Sequence, residues 1–257
     1  MHIYKPLISV ITIVYNNVTS IEKTIISVCE QTFKDKEYIV IDGGSNDGTV
    51  EIIKKYSTFI DTWISEKDAG ISDAFNKGIL NSHGEWLIFM NSGDRFFDNN
   101  VLSDLVPMLK KHSEADGVYG QICLMNDKDQ KFKIYGREKF SYKKLQVSNI
   151  IPHQALFLKR KYFESFGLFD LKYKKVMDYE LYLRAKSSIQ IVNVERIVAK
   201  VLAGGVSQQD FPQLIKEFKE ISRLHTSVPH FYLDLYYFVK IIKFRIRSFI
   251  FKLKSSK

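Results

Sequence analysis

Residues 7–14 form a largely apolar, β-branched run, broken only by Ser9 and Thr12. Such a run reads as a strand buried on both faces. A polar loop, Tyr15-Asn16-Asn17, follows. Thr19-x-x-Glu22 then has the spacing of a capping box, and Ile21, Ile25, Val28 and Cys29 recur at helical spacing. Residues 38–41 predict a second strand, ending in Asp42-Gly43-Gly44-Ser45-Asn46-Asp47-Gly48. A helix over 49–56, a third strand over 59–64 and a helix marked by Ile71, Phe75 and Ile79 come next. Strands alternating with helices predict a parallel, doubly wound sheet.

Residues 86–90, Trp-Leu-Ile-Phe-Met, are wholly apolar and stop at Asn91-Ser92-Gly93-Asp94. Open α/β sheets place ligand chemistry at such strand ends. Beyond a helix near 102–110 the pattern changes. Apolar runs at 117–125, 155–158, 189–194 and 197–202 predict shorter strands in a mixed sheet. Two helices close the chain, one carrying Phe211, Leu214, Ile215, Phe218, Ile221 and Leu224, the other spanning about 231–253.

With 257 residues, 45% of them apolar and 26% charged, the chain has the composition of a folded globular protein. The net charge of +9 is uneven: residues 240–257 hold seven lysines and arginines and no acid. The basic character therefore belongs to a tail. The two cysteines, Cys29 and Cys123, sit in apolar surroundings and read as core thiols, which suits a reducing compartment. Residues 1–6 lack the charged and apolar regions of a secretory signal. No uncharged apolar stretch is long enough to predict a membrane-spanning helix.

Six short constellations carry candidate chemistry. The 42–48 loop has glycines that permit a sharp turn, and its Asp42 is either a turn residue or an acceptor for the N–H of a base. It lacks the spacing of a calcium loop, a dinucleotide fingerprint or a phosphate loop. On the helix near Ile71, residues Asp73, Asn76 and Lys77 share one face at i, i+3 and i+4. Asp94 offers a hard oxygen ligand for a divalent cation. Asp178 and Glu180 are two apart, so they leave a helix on different sides and play different roles. His153-Gln154 precedes a predicted strand, and Gly204-Gly205-Val206-Ser207 is a turn able to offer backbone N–H groups to an anion.

Taken in order, ISVITIVYNN, VIDGGSNDGT, NKGI followed by GEWLIFMNSGD, and VMDYELYLR resemble the family 2 nucleotide-sugar glycosyltransferases of GT-A fold. The resemblance covers about residues 6–207 and is strongest to bacterial members that build O-antigen, capsule and other surface polysaccharides. It implies a Rossmann-like, mainly parallel mixed sheet flanked by helices, in a transferase domain over 1–208. Residues 209–257 then form a C-terminal helical, basic amphipathic extension.

The resemblance also implies roles. Thr12, Tyr15 and Asp42 match positions that hold uridine, with Asp68, Asp73, Asn76, Lys77, Asn91 and Ser92 completing the donor site. Asp94 matches the last acid of the metal motif, for Mn²⁺ or Mg²⁺, although Asn91 and Gly93 replace residues that are often acidic. Asp178 matches the catalytic base, with Met177 in place of the usual preceding acid and Glu180 as the fallback. His153, Gln154, Gly205 and Ser207 fall on the acceptor and diphosphate side. The implied reaction moves a hexose or N-acetylhexosamine from a UDP-sugar to a lipid-diphosphate-linked saccharide, with inversion.

The last helix places Phe231, Leu235, Phe238, Val239, Ile242, Ile246, Phe249, Ile250 and Leu253 on one broad sector between basic residues. A basic amphipathic helix reads as a membrane-surface element, here on the cytoplasmic face of the inner membrane, or as a helix packed on the body. Two other readings compete. A nucleic-acid binder fits the charge, but no recognition motif supports it. A non-catalytic scaffold fits Asn91, Gly93 and Met177.

Overall fold

The computed structural model describes residues 5–126, 130–202 and 210–255. Nine strands are present among them: β1 (Ile8–Val14), β2 (Lys36–Asp42), β3 (Thr62–Ser65), β4 (Trp86–Phe89), β5 (Arg95–Phe96), β6 (Gly117–Met125), β7 (Lys131–Tyr135), β8 (Leu156–Lys159) and β9 (Ile191–Leu202). The helices are α1 (Ile21–Cys29), α2 (Thr49–Lys55), α3 (Ile71–Leu80), α4 (Val101–Lys111), α5 (Tyr142–Leu145), α6 (Arg160–Phe166), α7 (Met177–Arg184), α8 (Phe211–His225) and α9 (His230–Ser255).

The strands join in one sheet of order β3-β2-β1-β4-β8-β6-β9-β5, with β7 paired to β6. The β3-β2-β1-β4 half is parallel, as the alternation of strand and helix predicts. β8 then enters antiparallel between β4 and β6. A short turn separates β4 from β5 in the chain, yet three strands lie between them in the sheet. The sheet therefore curls, and β5 clamps the chain just after Asp94 against β9, pairing Arg95 with Lys200.

Alternation along the central strands divides the core in two. Ile11, Ile13, Ile39, Ile41, Leu87 and Phe89 face α3, α6 and α7. Ile8, Val10, Val14, Val40, Trp86 and Ile88 face α1, α2 and α4. Every residue of β4 is buried, which explains its unbroken apolar run. Cys123 is buried and Cys29 half-buried, both as free thiols.

Several elements differ from the sequence pattern. The capping box does not form: Ser20 makes no side-chain cap, and Glu22 instead accepts from Lys55 and Tyr56 at 2.7 and 2.8 Å. The third strand starts at Thr62, because Ser57–Phe59 is a 3₁₀ turn. The runs at 189–194 and 197–202 are one strand, β9, whose pairing with β6 slips between Tyr119 and Ile122. A bulge of this kind absorbs extra residues and bends the strand without ending it.

The C-terminal helices dock on the body through buried polar groups. Glu217 of α8 accepts from the backbone N–H groups of Lys174, Lys175 and Val176 at 3.2, 2.9 and 3.3 Å. These groups precede α7, whose own N-cap residue, Val176, supplies no side-chain cap. A carboxylate on another helix thus satisfies the start of α7. α9 packs through Leu233 and Tyr237, not through the predicted apolar sector. Phe231, Leu235, Phe238, Ile242 and Ile246 stay exposed along one stripe. Val239 of that predicted sector is exposed as well, and its last members, Phe249, Ile250 and Leu253, have side chains outside the described residues. Among the described residues no helix is long and apolar enough to cross a membrane.

Candidate active site

The loops after β1, β2 and β4 meet at one edge of the parallel half-sheet. The Asn91–Asp94 turn is pinned from several sides. Ser92 N–H donates to Ile13 O at 3.1 Å, and Asp94 N–H to Asn91 O at 2.8 Å. Thr24 Oγ1 of α1 accepts from Gly93 N–H at 3.0 Å and donates to Asp94 O at 2.8 Å. Asn17 Nδ2 donates to Ser92 Oγ at 3.0 Å. Gly93 has φ +103°, a conformation that side chains disfavour, so a glycine belongs at this corner.

Asp94 is held there as a buried carboxyl, 8% exposed, with the Gln154 side chain hydrogen-bonded to it. Burial raises its pKa to about 7, partly offset by Gln154. In the same turn, Asn91 Oδ1 is buried without a hydrogen-bond partner. An ionisable carboxylate and an orphaned amide oxygen are both hard oxygen donors suited to Mg²⁺ or Mn²⁺. Among the described residues no cluster of three His, Cys, Asp or Glu side chains is present. A cation at Asp94 would therefore need further oxygen ligands from a substrate, a common arrangement for Mg²⁺ on phosphates. The residues fit a shared metal, not a cation cage made by the protein alone.

Asp178 lies in the first turn of α7, where the helix dipole favours a negative charge. Asn149 Nδ2 donates to its Oδ2 at 2.7 Å. Burial pushes the Asp178 carboxyl up, while the nearby His153 ring and the Asn149 amide pull it down. His153 stacks on Phe89 with centroids 5.0 Å apart, and its Nδ1 lies 3.1 Å from the Tyr182 hydroxyl. Burial lowers the His153 pKa, favouring the neutral ring. Its Nε2 is buried without a partner. Residues 149–154 thus hold Asp178 through Asn149, sit against Tyr182 through His153, and reach Asp94 through Gln154. One short segment spans both site carboxylates.

Glu180, the fallback base, points elsewhere. It pairs with Arg184, whose Nε donates at 2.8 Å, and its Oε1 lies 3.1 Å from His225 Nε2. The hydrogen bonds from His225 and Arg184, with the Arg184 charge, hold it below the usual carboxylate range despite burial. It ties α7 to α8 and has no opening to a substrate, so the fallback role falls away.

The other predicted positions separate into three groups. Tyr15 is exposed, and its ring and the Asp68 carboxylate both lie against Gly43, where an added Cβ would meet Asp68 Oδ2 at 2.4 Å and Tyr15 Cδ2 at 3.4 Å. These two side chains flank Gly43 on the 42–48 loop. Asp73 and Lys77 lie beside it, with Lys77 Nζ 2.8 Å from Glu66 and 3.5 Å from Asp73.

Thr12 and Asn76 are corrected. Thr12 is fully buried, donates to Met90 O at 2.7 Å and bonds the Tyr38 hydroxyl at 3.0 Å. It pins β1 to the end of β4 and cannot touch a ligand. Asn76 grips the backbone of Phe169, donating to its O and accepting from its N–H, each at 2.9 Å. Both amide ends are used, which binds α3 to the turn before α7.

Asp42 is intermediate between these cases. Its carboxylate is buried and accepts from Gly44 N–H at 3.1 Å, Ser45 N–H at 3.0 Å, Ser65 Oγ at 2.6 Å and the Ser45 hydroxyl. It organises the loop that carries Gly43. Gly205 and Ser207 lie outside the described residues. Asn149, Thr24 and Asn17 were not candidates from sequence. An isolated Asn or Thr has no periodic or motif signal, so only the fold reveals what it holds.

A curled, largely parallel sheet with helices on both faces, and acids gathered where its parallel strands end, has the architecture of a GT-A transferase. The family described as "Glycosyl transferase family 2" matches residues 9–166. An uncharacterized glycosyltransferase of Mycobacterium tuberculosis is 30% identical over 227 residues, covering 87% of this chain and 86% of that protein. A PGL/p-HBAD biosynthesis glycosyltransferase of Mycobacterium bovis is 27% identical over 190 residues, covering 73% of this chain and 72% of that protein. The chain belongs to glycosyl transferase family 2 and is a glycosyltransferase.

Solved structures share the fold at low identity. S. aureus TarS 1–349 in complex with UDP-GlcNAc has a TM-score of 0.66 and 17% identity, over 90% of this chain and 70% of that one. The Pyrobaculum calidifontis mannosyltransferase PcManGT, in complex with GDP-Man and Mn²⁺, has a TM-score of 0.60 and 18% identity, over 93% of this chain and 65% of that one.

Proposed function

We propose that the enzyme transfers a hexose or N-acetylhexosamine from a UDP-sugar to a lipid-diphosphate-linked saccharide, inverting the anomeric centre. The observation that carries this reading is the pair of carboxyls, buried Asp94 and half-buried Asp178, each hydrogen-bonded by an amide side chain from the single segment 149–154. Two acids in different environments suit two roles. Asp94 and the carbonyl oxygen of Asn91 face the donor diphosphate and would hold Mn²⁺ or Mg²⁺. When bound, that cation supplies positive charge against the leaving diphosphate. Tyr15, Asp68 and the loop organised by Asp42 receive the nucleoside.

Asp178 is the general base. Its carboxylate takes the proton of an acceptor hydroxyl as that oxygen bonds to the anomeric carbon and the bond to the diphosphate oxygen breaks. Asn149 orients it, and His153 stands beside it as a neutral ring. The exposed stripe on α9, with the basic residues after Lys240, is read as a contact with anionic lipid on the cytoplasmic face of the membrane. Surface polysaccharide synthesis is the process this arrangement serves.

The test is UDP release across a panel of UDP-sugars with Mn²⁺, followed by transfer to a lipid-linked acceptor. Asp178→Asn is expected to abolish transfer while UDP affinity stays near that of the unsubstituted enzyme. Transfer at an undiminished rate by Asp178→Asn refutes the assignment of the base.

A further inference from the structure

A groove of about 630 Å³ runs between α8 and α9. Leu214 and Phe218 of α8 and Val239 of α9 line it, and the rings of Phe211 and Phe244 stack 3.9 Å apart at the end away from the α8–α9 turn. Two cations, Lys240 and Lys243, share the same lining. Among the described residues no carboxylate pairs with either. Lys240 Nζ lies 4.7 Å from the centre of the Tyr236 ring and donates to Ser148 Oγ at 3.2 Å. An apolar trough with unpaired cations has the chemistry of a site for an amphiphile with an anionic head.

Position favours one such ligand. Ser148, which Lys240 touches, is the chain neighbour of Asn149, which holds Asp178. Tyr237 of α9 donates to Val147 O at 3.0 Å, anchoring the helix to the same segment. The cationic part of the groove therefore adjoins the strap beside the base. Leu235, which lines the groove, is also part of the exposed stripe of α9, so the trough opens onto the apolar face.

We propose that this groove holds the hydrocarbon chain of the acceptor lipid, with Lys240 and Lys243 on its phosphates. The inference rests on the lipid-linked acceptor proposed above and names where that acceptor is gripped. A phosphate at Lys240 sets the first sugar of the acceptor on the side of Asn149 and Asp178. The hydrocarbon then runs along Val239 and Phe218 toward the exposed stripe and the bilayer.

Farnesyl diphosphate, a short water-soluble isoprenoid diphosphate, is the probe. It is titrated calorimetrically into the full chain below its micelle concentration, beside farnesol and inorganic diphosphate. Farnesyl diphosphate is expected to bind at least about tenfold more tightly than either, since only it engages both the trough and the cations. The double substitution Lys240→Gln/Lys243→Gln is expected to weaken it by about tenfold or more. Val239→Asn, which sets an uncharged polar group in the wall and leaves the charge of both lysines in place, weakens it independently. UDP affinity on the same samples reports whether the donor site is folded.

Inorganic diphosphate binding as tightly as farnesyl diphosphate overturns the proposal. So does unchanged farnesyl diphosphate affinity in both variants. If the unsubstituted chain binds UDP but not farnesyl diphosphate, the groove assignment fails and the donor reading stands. If it binds farnesyl diphosphate but not UDP, the donor reading fails instead.

Discussion

Asn149→Ala separates the positioning of the base from its presence. The Asn149 amide donates to Asp178 Oδ2 at 2.7 Å, a charge-assisted geometry in a half-buried setting. Hydrogen bonds to charged groups contribute about 1.5–3 kcal/mol. The bond favours the ionised carboxyl, so its loss raises the Asp178 pKa further. The other groups near this carboxyl are His153 from the same segment and Tyr182 on α7, and both keep their places in the variant. A general base works deprotonated, so kcat/KM falls as pH drops through its pKa. The variant's acidic limb is therefore expected to move to higher pH. Its rate loss is largest below neutrality and recovers at alkaline pH. The assay is UDP release with acceptor over a pH series, with UDP affinity and thermal midpoint as controls. Asn149 also accepts from Ile151 N–H at 3.1 Å, so a small stability loss of about 1 kcal/mol accompanies the change. A rate loss equal at every pH would refute the reasoning, because a structural defect alone has that signature.

Asn76→Ala is expected to lower stability by about 2–3 kcal/mol, since it strands the N–H and C=O of Phe169, yet to leave UDP affinity unaltered; calorimetric melting and UDP titration check both halves. Glu180→Gln removes the carboxylate charge between Arg184, which keeps its bonds to Phe166 O and Leu168 O, and His225, and is expected to cost about 3 kcal/mol in denaturant unfolding, with kcat preserved in the folded fraction. In metal-free protein, the Asp94 pKa is raised from 3.8 to about 7, so the folded state holds a proton that the unfolded chain has released. Stability should fall as pH rises across that window, by up to about 4 kcal/mol, and Asp94→Asn should abolish that part of the slope in melting experiments.

The parallel half of the sheet was legible because burial on both faces leaves unbroken apolar runs in β1, β2 and β4. β8 was read from the apolar run at 155–158, whereas the two-residue β5 carries too few residues to imprint a period. Helix α6, whose Arg160 start follows β8 without a break, was missed for the same reason. Within the candidate site, Asp94 stood out at a strand end and Asp178 at a helix start, and the structure places them at those points. Thr12 and Asn76 misled, because a polar side chain satisfied by backbone inside the core has the same sequence appearance as one that awaits a ligand. Tertiary partners decide between those fates, and Met90 O and the Phe169 backbone lie far along the chain from Thr12 and Asn76.

The grip of Glu217 on the start of α7 has a practical consequence. Cutting the chain at residue 208 would remove the helix hairpin that carries the exposed stripe, but it would also uncap the helix bearing Asp178. A shortened enzyme that lost both vesicle binding and turnover would say nothing about whether the two are linked. Polar replacements at Phe231, Leu235 and Phe238, which leave Glu217 and Tyr237 in place, test the proposed lipid contact while keeping α7 seated.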